Sequence, residues 1–311
     1  MLIFSGVRGM LLADIALVSV SLFWGLGFVA MKDALASFPP FWLLSIRFGA
    51  ASVLLLLIFR RKVRAMTRND LIAGVVIGIF LFLGFATQTI GLNFTTAGKQ
   101  AFLTSVYVIM TPFLSWFIRR VFPGILVFVS AAVCIFGMAF LTLQEGFQIG
   151  FGDTLTLVCA LFFAAQLVAI EHYAPMHDPV TLTIVQICTV LVLSLLCAPL
   201  FETWPGFDGS NGIGSIAYTV LFCTIFAFLI QNTAQKHTSS THAAILLSLE
   251  SLFGALSGVF LLGEVFTSRM IFGCALIFVA VLLTELGNSV LLAFRKRRDD
   301  SLKTAGSNAN P

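Results

Sequence analysis

The sequence predicts an all-α membrane protein with ten transmembrane helices, arranged as two inverted five-helix repeats around a central cavity. Three observations carry this. The 311-residue chain is 59% hydrophobic and only 10% charged, with mean hydropathy +1.03. That is more apolar surface than a soluble domain can hide, so lipid must be its solvent. The apolar residues fall into runs of about 20, the length a helix needs to cross a hydrocarbon core, and no period-two alternation points to a barrel. Finally, Asp14 to Leu57 recurs 139 residues later: Asp14 falls on Asp153, Leu22-Phe23 on Leu161-Phe162, Val29-Ala30 on Val168-Ala169, Pro40 on Pro179 and Leu43 on Leu182. Leu and Val identities arise easily in apolar chains, but one gapless offset that also aligns an Asp and a Pro marks a repeat.

The first run, Leu11–Met31, holds Trp24-Gly25-Leu26-Gly27 at mid-depth, where glycines admit another backbone. Its length, its Asp14 and its echo in the second half read as a retained helix rather than a cleaved signal, despite the cleavage-like Ala34-Leu35-Ala36. Pro39-Pro40 turns the chain into the second run, Phe41–Phe59, which carries Arg47. Arginine there either snorkels to the outer boundary or faces a cavity. After the basic loop Arg60–Arg68, the third run, Leu71–Leu92, begins with Gly74-x-x-x-Gly78, a close-packing pattern, and ends in Thr87-Gln88-Thr89.

In the fourth run, Gln100–Ile118, Gln100, Thr104, Tyr107 and Thr111 are spaced i, i+4, i+7, i+11. They form one polar stripe on an otherwise apolar helix, as a water-filled cavity requires. Pro112 is expected to interrupt this helix and free backbone carbonyls. Ala97-Gly98-Lys99-Gln100 fails as a phosphate loop, because Asn93 stands where Gly is needed and Gln100 where Ser or Thr is. The fifth run, Gly124–Leu143, is uncharged and reads as peripheral.

Five helices before the linker Gln144–Asp153 mean that the second half is inserted upside down relative to the first. Its runs are Thr154–Ile170, Val180–Leu200, Ile213–Ile230, Ala243–Leu262 and Met270–Leu292. Gln166 and Gln186 lie mid-helix, Gln231-Asn232-Thr233 resembles Gln88-Thr89, and Glu250 sits near the bilayer midplane. An intramembrane carboxylate is costly, which makes it a functional candidate before a structural one. Gly254-x-x-x-Gly258 packs the same helix closely. The limits that follow are residues 1–143, 144–292 and a basic tail, 293–311, of disordered character.

Charge sets orientation. Placing the N-terminus in the cytoplasm collects Arg8, Arg60, Arg61, Lys62, Arg64, Arg68, Arg119, Arg120, Lys236 and the tail's Arg295, Lys296, Arg297, Arg298 and Lys303 on that side. Only Lys32, Lys99 and Arg269 face the other. This is a positive-inside pattern with both termini cytoplasmic, in an inner (plasma) membrane. The net charge of +4 therefore needs no nucleic-acid partner. All six cysteines fall inside apolar runs as small packing residues. His172 and His177 share a short turn without a third ligand, and His237 and His242 border the next inner loop, so no metal or cofactor is expected.

Phe23-Trp24-Gly25-Leu26-Gly27-Phe28-Val29-Ala30-Met31-Lys32, Arg47, Thr96-Ala97-Gly98-Lys99-Gln100-Ala101-Phe102-Leu103-Thr104, Gly152-Asp153, Ser248-Leu249-Glu250 and Leu262-Gly263-Glu264 together resemble the EamA-type members of the drug/metabolite transporter superfamily. The resemblance covers nearly the whole chain and lies in order and spacing rather than in one motif. It implies ten helices around a cavity and secondary transport, often export, of amino acids or other small metabolites. Two features depart from it: Arg119-Arg120 stand where the first half has no Leu-Gly-Glu, and Ser251 replaces the proline that Pro112 supplies.

On this reading Trp24, Arg47, Gln88, Gln100, Thr104, Tyr107, Gln166, Gln231 and Glu250 line the cavity. Trp24 supplies a wall, Arg47 or Lys99 attracts a carboxylate, and Glu250 takes an amine or a coupling proton. The partners are a small molecule and the bilayer. The alternatives are a membrane-embedded enzyme and a non-transporting scaffold or sensor. The first lacks Gly-x-Ser-x-Gly, His-Glu-x-x-His or clustered carboxylates, and the second would ordinarily carry a soluble domain.

Overall fold

The computed structural model describes residues 7–120, 122, 124–142, 150–206 and 212–262, with short stretches between 268 and 283. Among these residues the chain is all helix. Its order is α1 (Val7–Leu35), α2 (Pro40–Ile58), α3 (Arg60–Arg64), α4 (Arg68–Leu92), α5 (Ala97–Thr104), α6 (Tyr107–Arg119), α7 (Ile125–Thr142), α8 (Phe151–Tyr173), α9 (Pro179–Phe201), α10 (Ile213–Val220), a π-helical turn (Leu221–Phe226), α11 (Ala227–Gln235), α12 (Ser240–Leu247) and α13 (Glu250–Leu262). Eight helical stretches are long and apolar enough to cross a membrane: α1, α2, α4, α5–α6, α8, α9, α10–α11 and α12–α13. The fifth predicted run is the shorter α7. Most of the tenth, the Gly263-Glu264 pair and the basic tail lie outside the described residues.

Helix starts follow local chemistry. Thr67 and Asp70 close a capping box on α4, Thr96 caps α5, Ser239 caps α12, and Asp178 caps α9 with Pro179 at its first position. The start of α2 has no cap of its own. Its Phe41 and Trp42 amides donate instead to the Glu202 carboxylate at 2.9–3.1 Å, from beyond the end of α9. At the other end of this helix pair Lys62 reaches Asp178 at 2.7 Å. Burial pushes the Asp178 carboxyl up, but Lys62 and the Val180 and Thr181 amides outweigh it and hold it below its usual value. Thus α2 and α9 are tied at both ends.

Helix bounds echo one another. The starts of α2 and α9 are 139 residues apart, whereas α5 and α12, each of eight residues, and α6 and α13, each of thirteen, lie 143 apart. The fourth and ninth runs are each broken, at Ser105-Val106 and at Ser248-Leu249. This corrects the expectation that Pro112 breaks the fourth: α6 continues through it. At the break the backbone tightens to i−3 bonds, from Val106 N to Leu103 O and from Val108 N to Ser105 O, and Ser105 Oγ donates back to Ala101 O at 3.0 Å. The ninth run breaks without a proline, with Ser248 and Ser251 donating to Ile245 O and Ser248 O.

The core lies where α4 crosses α8 and α9 and where α1 crosses α11 and α13. Close approach is literal along α4: a Cβ at Gly74 would lie 2.4 Å from Val185 Cβ, and one at Gly78 would lie 2.6 Å from Thr189 Cβ and 3.0 Å from the Gln186 backbone. Gly214 on α10 faces open space. Gly78→Leu is therefore expected to cost about 1–3 kcal/mol or more, read as a lower unfolding midpoint of purified protein, while Gly214→Ala leaves the midpoint unchanged.

Candidate functional site

A cavity of about 670 Å³, its mouth included, lies between α1, α2, α4, α5, α6, α8, α11, α12 and α13. Trp24, Phe28, Phe85, Phe163 and Phe228 form an aromatic wall, and Arg47, Gln88, Gln100, Tyr107, Gln166, Gln231 and Glu250 supply polarity. Of the nine residues singled out in the sequence, eight line this one space. Thr104 does not: its hydroxyl lies behind the wall and accepts from Gln88 Nε2 at 3.3 Å. The four-membered stripe is split by the helix break, and Thr111 donates to Tyr107 O.

Arg47 is 2% exposed, so it does not snorkel. Its Nε donates to Thr224 Oγ1 at 2.7 Å, a terminal nitrogen donates to Cys223 O at 3.2 Å, and the guanidinium lies 4.7 Å above the Phe85 ring. These acceptors come from the π-helical turn. Thr224 Oγ1 itself donates to Thr219 O, five residues back, and Cys223 O accepts Trp24 Nε1 at 3.0 Å as well as Arg47. The turn thus places an arginine and a tryptophan on one wall. Nothing in the sequence marked it beyond the Thr219/Thr224 spacing, and the phenylalanines of the wall were lost among 33 in the chain.

On the opposite side Gln100 Nε2 donates to Gln88 O at 2.6 Å. A backbone carbonyl only accepts, so this bond fixes the amide and leaves Gln100 Oε1 as an acceptor. Gln231 Nε2 meets Gln166 Oε1 at 3.4 Å. Six buried atoms of cavity-lining residues have no protein hydrogen-bond partner: Thr89 Oγ1, Gln100 Oε1, Tyr107 OH, Gln166 Nε2, Gln231 Oε1 and Glu250 Oε1. Lys99 is no cavity residue. It pairs with Asp153 at 2.5 Å.

Other candidates are accounted for locally. His177 Nδ1 meets Asp70 at 2.6 Å, the His172 ring packs edge-on to Tyr173, and His242 pairs with Asp14 at 2.9 Å. Gln186, the echo of Arg47, is buried away from the cavity with both amide atoms unpartnered.

A bundle of membrane-length helices around a cavity lined by aromatic and polar side chains is the architecture of a membrane transport protein. The chain matches the EamA-like transporter family over residues 11–143 and 150–286, and it belongs to that family. It is 36% identical over 282 residues to an uncharacterized transporter of Archaeoglobus fulgidus, covering 89% of this chain and 86% of that one. It is 27% identical to the WAT1-related protein At3g02690, chloroplastic, of Arabidopsis thaliana, over 91% and 72% of the two chains. It is 23% identical to the uncharacterized transporter YoaV of Bacillus subtilis, over 85% and 93%. A solved crystal structure superposes with TM-score 0.70 at 20% identity, covering 91% of this chain and 98% of that one, a likeness of fold.

Thr224→Val leaves the buried Arg47 Nε donor without its side-chain partner. The expected cost is about 1–3 kcal/mol, visible as a lowered unfolding midpoint, whereas Thr224→Ser keeps the acceptor and the midpoint.

Proposed function

We propose that the chain is a secondary transporter that exports small metabolites such as amino acids, by alternating access between two inverted five-helix repeats, residues 1–143 and 144–292. It spans the inner (plasma) membrane with both termini cytoplasmic, as the positive-inside pattern supports. The observation that carries the reading is that six polar atoms without a protein hydrogen-bond partner belong to residues lining one cavity between membrane-length helices. Unmet polar groups in a hydrocarbon setting cost several kcal/mol each unless water or a solute meets them.

The chemistry of the walls supports an amphipathic zwitterion. Arg47 on the π-turn wall suits a carboxylate, and two of its five guanidinium hydrogens remain beyond the bonds to Thr224, Cys223 and Met31 Sδ. The acceptors Gln100 Oε1 and Glu250 Oε1 suit an ammonium, and Trp24, Phe85 and Phe228 suit an apolar body. Glu250 is the first residue of α13, where the helix N-terminus favours negative charge. It serves either the amine or a coupling proton, while Lys99, held by Asp153, is not available to a carboxylate.

The test is flux into proteoliposomes holding the purified protein, screened across amino acids, sugars and nucleosides. Saturable amino-acid flux is expected, and Glu250→Gln should lower it at least about tenfold or remove its dependence on a pH gradient. Flux and pH response both unchanged in that variant would refute the assignment of Glu250.

A further inference from the structure

Three buried amides on α9 and α11 that the cavity does not use fall on repeat positions. Leu92 and Gln235 end α4 and α11 and lie 143 residues apart, the offset that also relates α5 to α12 and α6 to α13. At that offset Gln88 pairs with Gln231, Thr89 with Asn232 and Tyr107 with Glu250, while at 139 Trp24 pairs with Phe163 and Arg47 with Gln186.

The cavity divides these pairs into two kinds. Both members of Trp24/Phe163, Gln88/Gln231 and Tyr107/Glu250 line it, so the two halves share its centre. Of the other three pairs only Arg47, Thr89 and Leu92 line it. Their mates Gln186, Asn232 and Gln235 are at most 1% exposed, and each has an amide oxygen without a protein hydrogen-bond partner. Asn232 Nδ2 donates to Thr183 Oγ1 at 2.8 Å and Gln235 Nε2 donates to Leu167 O at 3.2 Å, so what remains on both is an acceptor.

The mates also stand toward the opposite end of the bundle. From Asp70, which meets His177 beyond the end of α8, α4 runs about 33 Å to Leu92, three residues before the Thr95 that donates to Asp153 at the start of α8. The cavity reaches Leu92. Gln235 belongs to the Asp70 end: it lies five residues before Ser240, whose hydroxyl donates to Glu171 in the last turn of α8. On that side the last lining residues are Gln231 on α11 and Leu167 on α8, about 6–9 Å short of the two helix ends.

Halves related as inverted repeats exchange roles when the cavity opens at the other end. We propose that Gln186, Asn232 and Gln235 are solute-binding residues of that second conformation. They line the path at the Gln235 end as Arg47, Thr89 and Leu92 line it at the Leu92 end. This deepens the alternating-access reading above and rests on it. Polar atoms unmet in the closed half are then met by water and solute in the open one, and the amide oxygens there suit a hydrogen-bond donor such as an ammonium.

Cysteine substitution tests this in sealed membrane vesicles of both orientations, with an impermeant thiol reagent added outside and each site mapped by mass spectrometry. Gln186→Cys, Asn232→Cys and Gln235→Cys should react at least about tenfold faster than Ala234→Cys, an equally buried position on α11 whose mate Gly91 does not line the cavity. They should react from the membrane face opposite to the one that labels Thr89→Cys. Native Cys134, 3% exposed and outside the cavity, reports an intact fold by staying unmodified. Three sites as inert as Ala234→Cys, or labelled from the Thr89 face, would overturn the proposal. Solute flux with all three inert would count against these residues alone, whereas the expected labelling in a protein that moves no solute would count against the transport reading alone.

Discussion

In hydrocarbon every polar group needs a partner inside the protein, and the structure is organised by that requirement. Buried hydroxyls on the helices turn back onto their own backbone, as Ser45 does to Phe41 O, Thr183 to Pro179 O and Thr156 to Gly152 O. The end of α2 that lacks its own cap is supplied by Glu202. The buried arginine is supplied by a distorted turn. Among the described residues where the requirement is left unmet, the largest group is the threonine, glutamines, tyrosine and glutamate around the central cavity, with a second group of Gln186, Asn232 Oδ1 and Gln235 Oε1 along α9 and α11 and single atoms of Trp42, Ser52 and Ser194 elsewhere.

The irregular backbone follows from the same requirement. Non-helical backbone is tolerated at membrane depth only where protein or a wet cavity surrounds it. The break at Ser105-Val106 makes Tyr107 the first residue of α6, and the break at Ser248-Leu249 makes Glu250 the first residue of α13. Both residues line the cavity. Helix N-termini carry partial positive charge, so the two half-helices bring a favourable field to the level where the carboxylate sits. The π-helical turn does the converse for Arg47, offering a carbonyl and a hydroxyl to a cation. The two halves thus repeat their helix bounds while holding opposite charges at the cavity.

The helical class and most of the spans were legible because membrane helices announce themselves by length and apolarity. Seven of the eight residues chosen for polarity at depth line one cavity, as does Trp24, chosen as a wall: polar side chains are costly there and tend to gather where they can be met. What stayed hidden was geometry. Pro112 is the strongest helix breaker in the fourth run, yet serine back-bonding and i−3 bonds place the break seven residues earlier. The offset of 139 holds for α2 and α9 but becomes 143 for α5 and α12, so the equivalence of Lys99 with His242 is invisible at a single shift. Of the aromatic wall only Trp24 was legible, since phenylalanine is equally at home against lipid.

The central claim is that the cavity is wet while the surrounding core is dry, and two native cysteines test it without mutation. Cys223 lines the cavity and Cys134 does not, though both are almost fully buried, at 2% and 3%. Mass-spectrometric mapping of the wild-type protein in a bilayer, treated with a small water-soluble thiol reagent, compares the two. Modification of Cys223 well before Cys134 is the predicted result. Equal inertness of both until the protein unfolds would contradict a hydrated cavity and, with it, the reading of the chain as a carrier.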